Sequence, residues 1–133
     1  MSGKKIGGAG LRGQSAGETS ICTVGVSGSG LTYRGYDIVD LAENTSFEEV
    51  AYLLLHDKLP NSQELKDYIE KLKSLRGLQP ELRSTLESIP KTAHPMDVLR
   101  TGCSVLGNLE QEEGFLNQSD HADRMLSVFP SIL

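Results

Sequence analysis

Signals for the ends of helices recur after Tyr36, and they constrain the fold of this 133-residue chain more than any other feature. All five prolines lie in this part of the sequence, at positions 60, 80, 90, 95 and 130. Two capping-box patterns, Ser46 with Glu49 and Asn61 with Glu64, precede amphipathic stretches. Such residues satisfy the free backbone N–H groups of a first helical turn. The sequence therefore predicts a succession of helices with short connections.

Caps and apolar stripes locate the predicted helices. The predicted N-caps are Asp37, Ser46, Asn61, His94 and Asp120, with Pro80 and Pro95 at first helical positions. We expect Pro60 to end the second helix, Gly77 to follow the third, and Pro130 to kink the last. The apolar residues at helical spacing are Phe47, Val50, Ala51 and Leu54; Leu65, Tyr68, Ile69, Leu72 and Leu75; Leu82, Leu86 and Ile89; Met96, Leu99, Cys103 and Leu106; and Ala122, Met125, Leu126, Phe129, Ile132 and Leu133. Leu53 and Leu55 widen the stripe of the second helix, which we expect to be buried on most sides.

Charged residues off these stripes are expected to be solvated. On the third predicted helix they are Lys66, Asp67, Glu70, Lys71 and Lys73. The acidic segment 108–120 is interpreted as a loop whose glutamates face water rather than bind a metal ion.

Glycine sets the beginning of the chain apart, because ten of the 14 glycines precede Tyr36. Within this part, residues 20–25 and 31–36 are rich in β-branched and aromatic side chains and are separated by the glycine–serine segment 26–30. That pattern predicts a β-hairpin with a loop. We therefore divide the chain into a glycine-rich arm with a hairpin, 1–36, and a helical segment, 37–133.

Composition disfavours several classes of protein. The net charge is −5, there is no tryptophan and aromatic residues make up 5% of the chain, so a nucleic-acid surface is not expected. No apolar run is long enough for a membrane span, and residues 1–10 lack the apolar region of a secretory signal. Cys22 and Cys103 have no nearby cysteine or histidine, which favours reduced thiols in a cytoplasmic protein and no metal site.

The segment "HPMDVLRTG", residues 94–102, suggests a catalytic site because it holds His94, Asp97 and Arg100 at spacings of three residues. The structural interpretation is stronger, since Pro95 at the first helical position places His94 at the N-cap and Asp97 in the first turn. His56 and His121 have similar structural interpretations. His56 falls at a helix end, where it suits the helix dipole, and His121 falls on the surface of a first turn.

Glycine motifs do not supply a cofactor site either. Gly8, Gly10 and Gly13 match G-x-G-x-x-G, but no strand precedes them and no helix follows. The segment "GVSGSG", residues 25–30, has no following lysine, and no serine occupies a nucleophile elbow. We therefore assign no catalytic, cofactor-binding or metal-binding residue and expect no cofactor.

Five ordered blocks nevertheless resemble a known family. They are "AGETSICTVG", "LTYRGYDIVDLAE", "FEEVAYLLLHDKLP", "LKSLRGL" and "HPMDVLRTGCSVLG". Their order and spacing are similar to the start of citrate synthases, most of all the 2-methylcitrate synthase branch, over residues 10–133. The resemblance implies a mainly α fold in which a β-hairpin arm precedes the first helices of an incomplete large domain.

The resemblance also implies an activity. Members of this family condense an acyl-CoA with oxaloacetate, using propionyl-CoA in the 2-methylcitrate branch and acetyl-CoA in citrate synthases proper, without a metal ion. They assemble as dimers or larger homo-oligomers. The family's catalytic histidines and aspartate, its oxaloacetate-binding arginines and its main CoA loop match no position here. We therefore expect an N-terminal part of such an enzyme, inactive alone. The alternatives are a citrate synthase that uses acetyl-CoA and a non-catalytic truncated product that associates with full-length subunits.

Overall fold

The structure, a computed structural model, describes residues 15, 17–25, 30–112, 114 and 118–133. This part of the chain is mainly helical with a small antiparallel sheet, which confirms the predicted fold class. The strands are β1 (Cys22–Val24), β2 (Leu31–Tyr33) and β3 (Tyr36–Asp37). The helices are α1 (Ile38–Asn44), α2 (Phe47–His56), α3 (Ser62–Ser74), α4 (Pro80–Glu87), α5 (Pro95–Leu109) and α6 (Gln118–Ile132).

Internal contacts divide the chain into two units, Met1–Ser46 and Phe47–Leu133. The first unit holds the sheet and α1, which contacts β2 and β3. The second holds α2 to α6, in which α2 packs on α3, α4 on α5, and α6 on both α3 and α5. The boundary after Tyr36 was drawn from composition and stays a prediction, whereas this division follows packing.

The sheet contains the predicted hairpin and one additional turn. Strands β1 and β2 pair antiparallel, with Cys22 opposite Tyr33 and Val24 opposite Leu31. The predicted second strand, 31–36, was wrong as one continuous strand. It folds back at Arg34 and Gly35, whose φ angles of 49° and 88° form a two-residue turn, so that Tyr36 pairs with Tyr33. Positive φ at both central residues gives the twist that antiparallel strands need.

Three predicted helix caps are confirmed by their hydrogen bonds. The Asp37 carboxylate accepts from the backbone N–H of Val39 at 2.8 Å. Asn61 and Glu64 form the complete capping box at the start of α3. His94 caps α5, because its Nδ1 accepts from the backbone N–H of Met96 at 3.2 Å. Polar residues chosen by spacing alone thus mark these starts correctly.

Other predicted helix boundaries were wrong. Helix α2 ends at His56, four residues before Pro60, because Asp57 takes a left-handed conformation with φ 64°. Gly77 does not terminate α3 with a positive φ, since α3 ends at Ser74 with Leu75 as its C-cap. Helix α6 begins at Gln118, which places Asp120 in the first turn rather than at the N-cap. Pro130 lies inside α6, which continues to Ile132, so the kink expected there stays a prediction.

Two clusters of buried side chains form the core of the helical unit. One joins Leu82 of α4 and Leu106 of α5 to Val128 and Ile132 of α6. The other joins Ala51 of α2 to Tyr68 and Leu72 of α3, with Leu126 of α6 packed against it. Helix α6 contributes to both clusters, so it connects the α2–α3 pair with the α4–α5 pair.

Several apolar residues expected to face inward are exposed. The side chain of Phe47 is 65% exposed, Met96 62% and Met125 37%. On α6 the fully buried residues are Asp123, Ser127, Val128 and Ile132. Of the stripe expected there, Ile132 is buried and Leu126 and Phe129 are half-buried against the core, whereas Met125 and Leu133 are exposed. Burial of α2 on most sides was also wrong, because Ala51 and Leu53 are its buried residues.

Candidate functional site

A buried carboxylate on α6 is the centre of a polar cluster. Asp123 is 1% exposed, and its Oδ1 accepts a hydrogen bond of 2.8 Å from the Tyr68 hydroxyl of α3. Its Oδ2 accepts from Nζ of Lys71 at 2.7 Å, one helical turn further along α3. Nζ of Lys71 also lies 2.8 Å from Oδ1 of Asp120. We call Tyr68, Lys71, Asp120 and Asp123 the α3–α6 polar cluster.

Burial and charge shift the proton affinities in this cluster. Burial, together with the hydrogen bond to Asp123, raises the pKa of Tyr68 well above its ordinary value. The hydrogen bonds to Asp120 and Asp123 raise the pKa of Lys71 and outweigh its partial desolvation. The Lys71 ammonium lowers the pKa of Asp120. Tyr68 and Lys71 therefore hold their protons while Asp120 stays ionised, and proton transfer from this cluster near neutral pH is disfavoured.

Two aromatic rings border the cluster on the α2 side. The Tyr52 and Tyr68 rings meet edge to face, with centroids 5.2 Å apart. The His56 ring lies 4.3 Å from that of Tyr52 and 5.8 Å from that of Tyr68. His56, the last residue of α2, is therefore in ring contact as well as at a helix end. These contacts connect α2 to α3 beside the polar cluster.

A second polar cluster surrounds Arg124 of α6. Its guanidinium donates to both carboxylate oxygens of Glu110, at 2.8 to 3.0 Å. It also donates to the backbone carbonyl oxygens of Leu75 and Gly77, in the segment after α3. Gln79 donates to Glu110 at 2.8 Å. The pair is largely buried, so Glu110 is not solvated as predicted for the glutamates of segment 108–120. Free carbonyls at a helix end accept readily from a fork of guanidinium donors.

An apolar groove runs between α2 and α6. Its volume is about 390 Å³, and all the side chains that line it are apolar. The α2 wall includes Phe47, Val50, Leu54 and Leu55, and the α6 wall includes Met125 and Phe129. We call this surface the α2–α6 groove.

The structure places the sequence candidates at helix ends, in first turns and on an exposed helix face. His94 caps α5, and Arg100 pairs with Asp97 at 3.2 Å on the exposed face of the same helix. His56 ends α2, and His121 is half-buried in the first turn of α6 rather than fully on the surface. The two polar clusters join α6 to neighbouring segments, and they contain none of His94, Asp97 and Arg100.

Other predictions concern thiols, glycines and metal ligands. Cys22 and Cys103 are free thiols, both half-buried. Gly8, Gly10 and Gly13 lie outside the described residues. Within the described residues there is no group of three or more histidine, cysteine, aspartate or glutamate side chains that could hold a metal ion. No helix of the described part is long and apolar enough to cross a membrane.

The sequence interpretation missed Asp123, Arg124 and Glu110. Lys71 was expected to be solvated, yet it bonds to two aspartates of α6. The sequence contained one indication of this cluster, because a buried tyrosine in an apolar stripe needs a hydrogen-bond partner for its hydroxyl. The partner lies 55 residues away in sequence, beyond the range of any local pattern.

Fold and site together define a mainly α-helical protein in which Asp123 and Arg124 join α6 to neighbouring segments. Residues 10–133 match the family described as citrate synthase, C-terminal domain. The chain is 65% identical to a 2-methylcitrate synthase of Shewanella oneidensis over 98% of its own length and 35% of the relative's. It is 43% identical to 2-methylcitrate synthase 2 of Corynebacterium glutamicum, over 93% of this chain and 33% of that protein.

A solved structure agrees with these relatives. The crystal structure of citrate synthase from Thermotoga maritima superposes with a TM-score of 0.80 at 36% identity, covering 93% of this chain and 32% of that one. The chain therefore belongs to the citrate synthase family, as its sequence blocks predicted. It spans about a third of the length of the relatives it matches. Its place within the family sequence stays a prediction.

Proposed function

We propose that this chain is part of a 2-methylcitrate synthase that condenses propionyl-CoA with oxaloacetate. The observation that carries the proposal is the 65% identity to the Shewanella oneidensis 2-methylcitrate synthase across 98% of the chain. Identity to the Thermotoga maritima citrate synthase is 36% over a similar span. Propionyl-CoA use is thus supported by the stronger likeness.

Within that enzyme, the proposed role of this chain is scaffold. Residues 1–36 would form an arm with the hairpin, and residues 37–133 the first helices of the large domain. The contacts of the described side chains support this role. Asp123 and Arg124 hydrogen-bond α6 to neighbouring segments, and His94 caps α5. We propose that the chain alone holds no catalytic, cofactor-binding or metal-binding residue and is inactive.

Two alternative functions also have support. The first is a citrate synthase that uses acetyl-CoA, and it is supported by the likeness to the Thermotoga maritima enzyme. Discrimination of one methylene in a pocket amounts to about 1–3 kcal/mol, so a few side chains decide between the substrates. The second is a non-catalytic product that associates with full-length subunits, which the exposed apolar wall of the α2–α6 groove would favour.

The cellular setting follows from the same proposal. The complete enzyme would act as a homo-oligomer in the cytoplasm, with acyl-CoA and oxaloacetate as partners and without a metal ion. Nucleic acid is not a proposed partner, since the net charge is −5.

Exchange of segments between enzymes tests the proposal. In one hybrid, this chain replaces the matching segment of the Shewanella oneidensis enzyme. In a second hybrid, it replaces the matching segment of the Thermotoga maritima citrate synthase. We expect the first hybrid to condense propionyl-CoA with oxaloacetate at a rate within about tenfold of its parent, a barrier change of about 1.4 kcal/mol. We expect the second hybrid to lose far more activity, because fewer packing contacts match.

The 133-residue chain alone is the third sample, and we expect it to release no CoA from either acyl-CoA. Turnover by the pure chain would contradict the scaffold role and return His94 and His56 to consideration. An active hybrid in the Thermotoga maritima host alone would favour the acetyl-CoA alternative.

A further inference from the structure

Helix α2 has more apolar surface than the other described residues cover. Ala51 and Leu53 are its buried residues, and Ala51 packs against Tyr68 and Leu72 of α3. A helix that is apolar nearly all round is usually buried on several sides. The part of α2 away from this cluster therefore has the composition of a core surface.

This partly covered surface is the α2 wall of the α2–α6 groove. Phe47 remains 65% exposed, and Val50, Leu54 and Leu55 are half-buried. On the opposite wall, Met125 is 37% exposed and Phe129 is half-buried. The groove has a volume of about 390 Å³ and an apolar lining throughout. A contiguous apolar surface of this kind marks a place where another segment packs.

The relatives are about three times as long as this chain, so they contain segments that it does not. This chain spans 35% of the length of the Shewanella oneidensis relative and 32% of the Thermotoga maritima structure, yet it superposes on the latter with a TM-score of 0.80. The described helices thus have the arrangement of the matching part of the Thermotoga maritima structure, and about two thirds of that structure has no counterpart in this chain. An open groove between helices accepts a further helix through its apolar face, with anchors three and four residues apart.

We propose that the α2–α6 groove is filled by an amphipathic helix from the part of the enzyme that this chain does not span. The inference rests on the proposed function, since it assigns the occupant to the same polypeptide. Phe47 and Met125 contact that helix from opposite walls. The groove is then an internal packing surface and not a site for a small ligand or a second copy.

The test compares two methionines, one in the groove and one outside it. Met125→Lys places an ammonium in the groove. Met96→Lys, the matched control, changes a residue of α5 that is 62% exposed and does not line the groove. Each substitution is made in the 133-residue chain and in the Shewanella oneidensis hybrid, and the thermal midpoint is measured by circular dichroism. A Phe47→Lys variant provides a second probe of the groove.

In the chain alone, we expect Met125→Lys and Met96→Lys to shift the midpoint by similar, small amounts, because both side chains reach water. In the hybrid, we expect Met125→Lys and Phe47→Lys to lower the midpoint by at least about 5 °C more than Met96→Lys does, since the ammonium would be buried without a partner.

Equal shifts for the groove and control variants in the hybrid would overturn the proposal. So would micromolar self-association of the chain alone that Met125→Lys abolishes, since a second copy would then fill the groove. The unmodified hybrid separates the two proposals. If it folds but does not condense propionyl-CoA, the proposed function fails while the midpoints still decide the occupant of the groove.

Discussion

At the scale of single residues, Asp123 shows how one buried charge can join two helices. It is 1% exposed, and each of its oxygens accepts a hydrogen bond from α3, one from Tyr68 and one from Lys71. Asp120 bonds to the same Lys71 from an exposed position. The two aspartates share a partner but differ in burial, so they form a natural pair for comparison.

Asp123→Ala should lower the free energy of unfolding by about 2 kcal/mol, because the buried Tyr68 hydroxyl loses its acceptor and the Lys71 ammonium loses a buried partner. Asp120→Ala should have little effect, since its ion pair lies in water. Urea unfolding of both variants measures the difference. Equal losses of unfolding free energy for the two variants would show that burial does not determine how much Asp123 contributes to stability.

Tyr68 should make stability depend on alkaline pH. Burial, together with the hydrogen bond to Asp123, raises its pKa above the ordinary value near 10 in the folded state. The unfolded chain therefore loses this proton first, and the free energy of unfolding should fall as pH rises above about 10. The raised pKa of Lys71 acts in the same direction.

The phenolate absorbance of the protein minus that of Tyr68→Phe gives the titration curve of this one hydroxyl. We expect its midpoint to lie above that of an ordinary tyrosine. A difference curve centred near pH 10 would contradict the environment described for Tyr68.

At the scale of elements, two glycines of α5 have opposite surroundings. A Cβ atom on Gly102 would lie 2.8 Å from Cγ2 of Ile132, so α5 and α6 approach closely there. A Cβ on Gly107 would have no neighbour within 4 Å among the described residues. Alanine favours a helix over glycine by about 1 kcal/mol, and space alone decides whether that gain is realised.

Gly107→Ala should therefore raise the free energy of unfolding by about 1 kcal/mol. Gly102→Ala should gain less or destabilise the protein, because the Ile132 side chain must move within the core. Thermal unfolding of the two variants provides the measurement. A similar gain for both would show that α5 and α6 can separate at no cost.

The start of a helix was predictable where the residues that define it are neighbours in sequence. Asn61 with Glu64, and His94 with Pro95, define helix starts within four residues, and both starts are confirmed. Faces were less predictable, because Phe47 has helical apolar spacing yet is 65% exposed. Which of several apolar faces is covered depends on partners elsewhere in the chain. The polar clusters were not predicted for the same reason, since their contacts cross from α6 to distant segments.

At the scale of the whole molecule, the two units differ in how much they bury. The sheet of the first unit has strands of three, three and two residues, with Val24 and Tyr36 exposed, and Ile21 just before β1 is exposed as well. The helical unit contains both clusters of buried side chains. Small sheets with exposed side chains open at low free energy.

Amide hydrogen exchange should show this difference directly. We expect the slowest exchange in α4, α5 and α6 and fast exchange in β1 and β2. Backbone amides resolved by NMR provide the comparison, with Thr32 representing the sheet and Leu106 the core. Equal protection of these two amides would mean that the sheet is stabilised by packing beyond its own strands.

The spacing of the α3–α6 polar cluster also has a consequence during synthesis. Asp123 follows Lys71 by 52 residues, which a ribosome takes about 3 to 10 s to translate at 5–20 residues per second. Throughout that delay, the Tyr68 hydroxyl and the Lys71 ammonium of the nascent chain have no Asp123 to bind. Helices α2 and α3 can pair early, but their attachment to α6 must wait, and chaperones can reach this surface until Asp123 emerges.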